Sequence, residues 1–165
     1  MDNILELFIN NPYKEFYVRE ISKKLKISPT TISKYLKKME KEGLLLSENK
    51  YNHLFFKAHN ENLLFKQKKV HYNICMIINS GLIDYLNKIL DAEIILMDNK
   101  DENYEITLLV ISNKKIIKEI NLNDFEKRLG KLNILFYSIK EIKNNKEIIN
   151  RLINGIIIKG YLRLD

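Results

Sequence analysis

The chain has 165 residues, of which 45% are hydrophobic and 30% charged, with five glycines and two prolines. This composition excludes intrinsic disorder and a fibrous repeat, and the length suits two small domains. The formal net charge of +7 favours an anionic partner if the lysines cluster, whereas evenly spread lysines would indicate only a lysine-rich background. No apolar run approaches the roughly 20 residues that span a bilayer. Because Asp2 and Glu6 also interrupt the first turn as no signal peptide would, we expect a cytoplasmic protein.

Three short helices are predicted in the first 43 residues. The first begins at Asp2, a good capping residue, and places Ile4, Leu5, Phe8 and Ile9 on one stripe. The second runs from Val18 to Leu25. The third has the clearest signals, because Ser28 caps it, Pro29 takes its first position, Gly43 ends it, and Ile32, Leu36 and Met39 have core spacing.

A hairpin and connecting helices are predicted to follow. The runs LLLSE and HLFFKAH are joined by NKYN, a connector rich in turn-forming residues. Residues 60–70 then form a polar helix and residues 74–90 an amphipathic one, in which Ser80 and Gly81 mark either a kink or a break. This change of pattern predicts a domain boundary between residues 60 and 72.

The second half alternates between predicted strands and helices, which indicates an α/β layer with one sheet. Ser138 and Glu141 match a capping box and predict a helix start. The closing segment IIIKGYLRLD fits a helix or a strand. In chain order, the predicted elements are strands Glu93–Met97 and Tyr104–Ser112, a helix Leu122–Leu129, a strand Leu132–Tyr137 and a helix Ser138–Asn154.

The single cysteine, Cys75, has apolar neighbours in NICMII, so we interpret it as a buried structural thiol, with a reactive or ligating thiol as the alternative. His71 lies one helical turn before it. Two ligands do not complete a zinc site, and His53 and His59 lack finger-like spacing, so we expect no metal here.

One segment runs from Val18 to Leu45 and reads VREISKKLKISPTTISKYLKKMEKEGLL. It resembles the winged helix-turn-helix domains of prokaryotic transcription regulators. The apolar positions, the Ser-Pro helix start and the closing Glu-Gly-Leu-Leu appear in the same order. Lys26 departs from the pattern, because such turns often use glycine, and a left-handed lysine costs on the order of 1 kcal/mol.

The third helix also has the surface of a DNA-binding helix when considered from its residues alone. Short hydroxyl side chains come first and lysines follow, an order that suits base edges near the helix N-terminus and phosphates along it. Lys24 extends the basic surface of the second helix, and the remaining alternative is a solvated lysine-rich face. The expected DNA contacts are Thr30, Thr31, Ser33, Lys34, Lys37 and Lys38 on the third helix, Arg19 and Lys23 on the second, and Lys50, Tyr51, Asn52 and His53 at the hairpin tip.

The order of elements in residues 73–164 resembles a nucleotidyltransferase domain of the polymerase-beta superfamily, and the whole chain resembles archaeal proteins that join such a domain to a winged helix. This resemblance implies a Gly-Ser pair where Met97 and Asp98 stand, and an Asp-x-Asp pair where Glu105 and Thr107 stand. The third carboxylate that it implies on LNILFYS is also missing. Since two divalent ions need several carboxylates, we expect no catalysis and no cofactor.

Two charged segments of the second half leave alternatives open. Asp98, Asp101 and Glu102 form either a solvated connector or a weak metal site, and we favour the connector because Lys100 lies among them. Three lysines after the second strand form a solvated face or contact flanking DNA; they are Lys114, Lys115 and Lys118.

The sequence therefore predicts an α+β protein with a winged helix-turn-helix at residues 1–58, a linker helix at 59–72 and an inactive nucleotidyltransferase-like domain at 73–165. The predicted function is sequence-specific regulation of transcription on double-stranded DNA. The second domain would support a homodimer, or bind a partner or effector. In a homodimer, the helices of residues 60–90 could hold the two winged helix-turn-helix domains at a set distance. The alternatives are a nucleotidyltransferase with a rearranged metal site and an antitoxin-like module that binds another protein.

Overall fold

The computed structural model describes residues 2–90, 92, 94–97, 106–112, 120–143 and 145–161. Helices and strands alternate irregularly, so the fold class is α+β, as predicted. The chain divides into two compact units, Met1–Tyr72 and Asn73–Asp165. Within the described part of the chain, no helix has both the length and the apolar character that a membrane crossing requires.

The first unit contains three helices, a three-stranded sheet and the start of a fourth helix. Its central strand pairs antiparallel with both neighbours, in the order β1-β3-β2. The elements are α1 (Asp2–Ile9), β1 (Phe16–Tyr17), α2 (Val18–Leu25), α3 (Pro29–Lys41), β2 (Leu45–Lys50), β3 (His53–Ala58) and α4 (Leu63–Ser80).

One apolar cluster holds the first unit together. The rings of Phe8 and Phe16 meet edge to face with centroids 5.3 Å apart, and Phe56 of β3 is buried in the same cluster. The predicted inward positions Ile32, Leu36 and Met39 of α3 are fully enclosed. Burial of this kind contributes about 1.5–3 kcal/mol for each large apolar side chain.

Strand β1 was not predicted from the sequence. Phe16 and Tyr17 pair with Phe56 and Phe55 of β3, so a contact distant in sequence creates this two-residue strand. The aromatic and β-branched run Phe16 to Val18 was the available local signal.

The side chain of Asp2, the predicted cap of α1, lies outside the described part.

The predicted gap between helices at residues 60–70 and 74–90 is wrong, whereas a break at Ser80 and Gly81, one of the two alternatives left open there, is confirmed. One helix, α4, continues to Ser80, and the break comes at Gly81, whose φ of 78° only glycine adopts without strain. The next helix, α5, is Leu82–Leu90.

The prediction of a buried Cys75 is also wrong, because its side chain is only partly enclosed. The five consecutive residues 74–78 of α4 are all apolar, so apolar side chains project from every side of the helix near Cys75. Only Ile77 among residues 71–80 is fully buried, so apolar sequence neighbours do not enclose the thiol.

The second unit is built on a four-stranded mixed sheet in the order β6-β5-β4-β7. Strand β5 pairs parallel with β6 and antiparallel with β4, and β4 pairs antiparallel with β7. The closing segment, for which helix and strand remained open, therefore contributes a strand. The elements are β4 (Ile94–Met97), β5 (Ile106–Ile111), α6 (Asn123–Leu129), β6 (Leu132–Tyr137), α7 (Ile139–Lys143), α8 (Lys146–Asn154) and β7 (Ile156–Lys159).

Helices α7 and α8 replace the single helix predicted at Ser138–Asn154. The Asn145 side chain starts α8 by accepting hydrogen bonds from the backbone N–H groups of Glu147 and Ile148, which interrupts the helical run. The predicted capping box is confirmed, because the Ser138 backbone N–H donates to Glu141 Oε2 at 2.7 Å and the Glu141 N–H donates to Ser138 Oγ at 3.3 Å.

Candidate nucleic-acid interface

The turn between α2 and α3 sets the angle between these two helices of the first unit. Lys26 has φ 56° and ψ 37°, the left-handed conformation predicted for it. The Ser22 hydroxyl donates to the Ile27 carbonyl at 2.6 Å, and the Ile27 N–H donates to the Ser22 carbonyl at 3.3 Å. These hydrogen bonds hold the turn in the absence of glycine.

Ser28 caps α3, as predicted, and this cap also involves a predicted base contact. The Thr31 N–H donates to Ser28 Oγ at 3.2 Å, and the two hydroxyl oxygens are 2.8 Å apart. Thr31 therefore contributes to the helix start, whereas Thr30 is exposed on the first turn and takes no part in this cap. Of the two threonines, Thr30 has its side chain available for a base edge.

One face of α3 lies opposite the buried stripe and carries cations. Thr30, Lys34 and Lys37 recur at intervals of three or four residues, which places them on this face, and all three are exposed. Lys41 continues the same spacing and is exposed as well. The four residues extend over about 16 Å of helix at the usual rise per residue.

Lys41 was missed by the sequence analysis, although the spacing of Thr30, Lys34 and Lys37 already points to it. Within the described part of the chain, no ion pair engages Lys34, Lys37 or Lys41. Their charges are thus available to an anion. We call the face formed by Thr30, Lys34, Lys37 and Lys41 the lysine face.

The other predicted contacts of α2 and α3 lie beside the lysine face. Lys38 is exposed but lies 3.8 Å from Glu42, and Ser33 is half-buried. Arg19, Lys23 and Lys24 are exposed on α2. Helices α2 and α3 therefore carry seven of the 14 Lys and Arg residues of the first unit, and all seven are exposed.

The hairpin of β2 and β3 forms the wing, with Tyr51 and Asn52 as its turn. Both have positive φ, 52° and 60°, as in the two-residue turns that match the twist of a hairpin. The Tyr51 side chain is 90% exposed at the tip. Behind it, the His53 ring stacks on the Tyr17 ring with centroids 5.5 Å apart.

Lys50 differs from the other predicted DNA contacts because two carboxylates hold it. Its Nζ lies 2.8 and 2.9 Å from the two carboxylate oxygens of Glu15 and 3.0 Å from Glu48 Oε2. The hydrogen bond with Lys50 lowers the pKa of Glu15, and the same bond raises the pKa of Lys50. Its charge is neutralised within the protein.

In the second unit, the structure describes two of the four positions that the nucleotidyltransferase resemblance made informative. Met97 ends β4 with a side chain that is 4% exposed, and Thr107 is half-buried on β5. Asp98 and Glu105 lie outside the described residues, as do Asp101, Glu102, Lys114, Lys115 and Lys118. Among the residues that are described, no three His, Cys, Asp or Glu side chains gather as metal ligands would.

A comparison with protein families agrees with the geometry of the first unit. Residues 3–47 match the family model described as bacterial regulatory protein, arsR family. The match extends from α1 into β2, and it supports an N-terminal winged helix-turn-helix and a DNA-binding transcription regulator. No curated protein and no solved structure matches the chain.

Proposed function

We propose that the protein is a sequence-specific regulator of transcription that binds double-stranded DNA through its first unit. The lysine face is the observation that carries this proposal, because it presents a hydroxyl and three unpaired cations on one side of a well-capped helix. DNA presents a phosphate charge about every 1.7 Å along its axis, so such a face meets several charges at once.

In the proposed complex, α3 enters the major groove with its N-terminus towards the bases. Thr30 would contact base edges while Thr31 beside it stays in the Ser28 cap, and Lys34, Lys37 and Lys41 would meet phosphates. Further phosphate contacts come from Arg19 and Lys23 on α2. The wing residues Tyr51, Asn52 and His53 would lie against the adjacent backbone.

We further propose that the second unit is a nucleotidyltransferase-like domain without catalytic activity. Its described elements follow the order strand, strand, helix, strand that motivated the resemblance. Thr107 supplies a neutral hydroxyl where the resemblance implies a carboxylate, and Met97 fills a position where it implies a triphosphate-binding pair. A unit of this kind would hold two chains as a homodimer, and a partner or effector could act on the same unit. Because the proposed target is the genome, we place the protein in the cytoplasm.

Binding to a pool of random duplexes, followed by sequencing of the retained DNA, tests the proposed function. A sequence-specific regulator enriches one motif, and genome-wide binding in the native host then locates that motif at promoters. Retention without enrichment would leave a non-specific DNA-binding protein, and no retention at low salt would refute DNA binding. Parallel incubation with labelled nucleoside triphosphates and magnesium tests the absence of catalysis.

A further inference from the structure

The ion pair between Glu15 and Lys50 links two parts of the first unit that are 35 residues apart in the chain. Glu15 directly precedes β1, and Lys50 is the last residue of β2. Because the strand order is β1-β3-β2, the two side chains meet across the central strand. The pair therefore connects the two edges of the sheet.

The pair lies on the side of the sheet that faces away from the core. Phe16 and its partner Phe56 point into the core, so their neighbours Tyr17 and Phe55 point to the other side. Glu48 pairs with Phe55 and Lys50 with His53, which places both charged residues on that outer side as well. The outer side of the sheet thus carries an aromatic row beside an ionic cluster.

We propose that Lys50 is a positioning residue that fixes the wing tip, and that it makes no contact with DNA phosphate. This inference rests on the proposed DNA-binding function. Residue 50 is the last before the turn, so any change in its direction moves Tyr51 and Asn52. Strand β1 has only two residues of ladder pairing, and the link from Glu15 to Lys50 attaches it to the wing in addition to the stacking of Tyr17 on His53.

Charge and hydrogen bonding both oppose a phosphate contact by Lys50. A lysine ammonium has three N–H donors, and three carboxylate oxygens already lie within 3.0 Å of it. Glu15, Lys50 and Glu48 together carry a net charge of −1, and Lys57 is near enough to lower the pKa of Glu15 as well. Since the Glu48 side chain is 58% exposed, an approaching phosphate would meet a carboxylate first.

Salt dependence of binding to the selected duplex distinguishes a positioning residue from a phosphate contact. Each phosphate contact contributes about 0.9 to the slope of log affinity against log salt. We expect Lys50→Met to lower affinity with an unchanged slope, because it loosens the wing without removing a contact. Lys37→Met is the matched control and should lower the slope by about 0.9. A comparable fall in the salt slope of Lys50→Met would overturn the inference.

A double-mutant cycle in the full chain tests the link itself without DNA. Lys50→Glu should lower the unfolding temperature in the wild-type background and lower it less when combined with Glu15→Lys, since the reversed pair restores an attraction. Equal losses in both backgrounds would overturn the inference. A chain that shows this coupling but binds no duplex would refute the proposed function while retaining Lys50 as the link that orients the wing.

Discussion

Lys26 is a single residue whose backbone conformation opposes its identity. Its φ of 56° brings Cβ close to the backbone, and relief of that strain is worth about 1 kcal/mol at most. We expect Lys26→Gly to raise the unfolding temperature of the first unit slightly. The matched control is Lys24→Gly, which removes the same charge from a right-handed helical position and should cost about 1 kcal/mol. A loss of stability in both variants would contradict backbone strain at Lys26.

Thr30 allows base recognition to be separated from helix capping. Its side chain is exposed and takes no part in the Ser28 cap, whereas Thr31 shares a hydrogen bond with Ser28. We expect Thr30→Ala to relax the preference at one or two base pairs of the selected motif, with the salt slope unchanged. Thr31→Ala should also lower the unfolding temperature. Enrichment of an identical motif by Thr30→Ala would exclude it from base recognition.

The wing turn is an element in which stability and proposed function are opposed. Tyr51 is a bulky residue in the left-handed region, where Asn is better tolerated. We expect Tyr51→Asn to stabilise the first unit by up to about 1 kcal/mol and yet to weaken duplex binding, because the exposed ring at the tip is lost. Thermal unfolding and duplex titration check the two effects. Duplex binding by Tyr51→Asn as tight as that of the wild type would show that the Tyr51 ring makes no contact with DNA.

The capping box of α7 makes part of the stability of the second unit dependent on pH. Hydrogen bonds from the Ser138 backbone and hydroxyl hold the pKa of Glu141 below its usual range. The stabilisation is complete above the unfolded-state pKa of about 4.3 and is lost as pH falls through the lower folded-state value. In acid, Glu141→Gln should therefore lose less stability than the wild type. Glu147→Gln on α8 serves as the control, and an identical acid response in all three proteins would contradict the cap.

Elements with local signals could be predicted, and those created by distant contacts could not. Ser28, Pro29 and Gly43 define α3 within the sequence itself. Strand β1 exists only because β3 pairs with it. The same holds for the interface, where helical spacing is sufficient to find Lys34 and Lys37, while the carboxylate that neutralises Lys50 comes from 35 residues away. Helix α4 was divided wrongly between residues 70 and 74, whereas it ends where the Ser80 hydroxyl donates to the Ile77 carbonyl and Gly81 takes a positive φ.

At the scale of the whole molecule, the proposed homodimer would present two copies of the first unit to one DNA site. Winged helices that bind palindromic sites contact half-sites about 34 Å apart. A dimer that holds its two DNA-binding units at a fixed distance therefore determines the spacing of the half-sites. We expect light scattering to give the mass of a dimer for the chain with the selected duplex. The motif itself should contain two inverted halves. A monomer both free and on DNA would exclude the homodimer.

The claim that the lysine face binds DNA is tested most directly by the salt dependence of duplex affinity. Lys34→Ala and Lys37→Ala should each weaken binding to all sequences and lower the slope of log affinity against log salt by about 0.9. Lys88→Ala, which removes an exposed lysine of α5, should leave the slope unchanged. Slopes equal to that of the wild type in all three variants would contradict a DNA interface on α3.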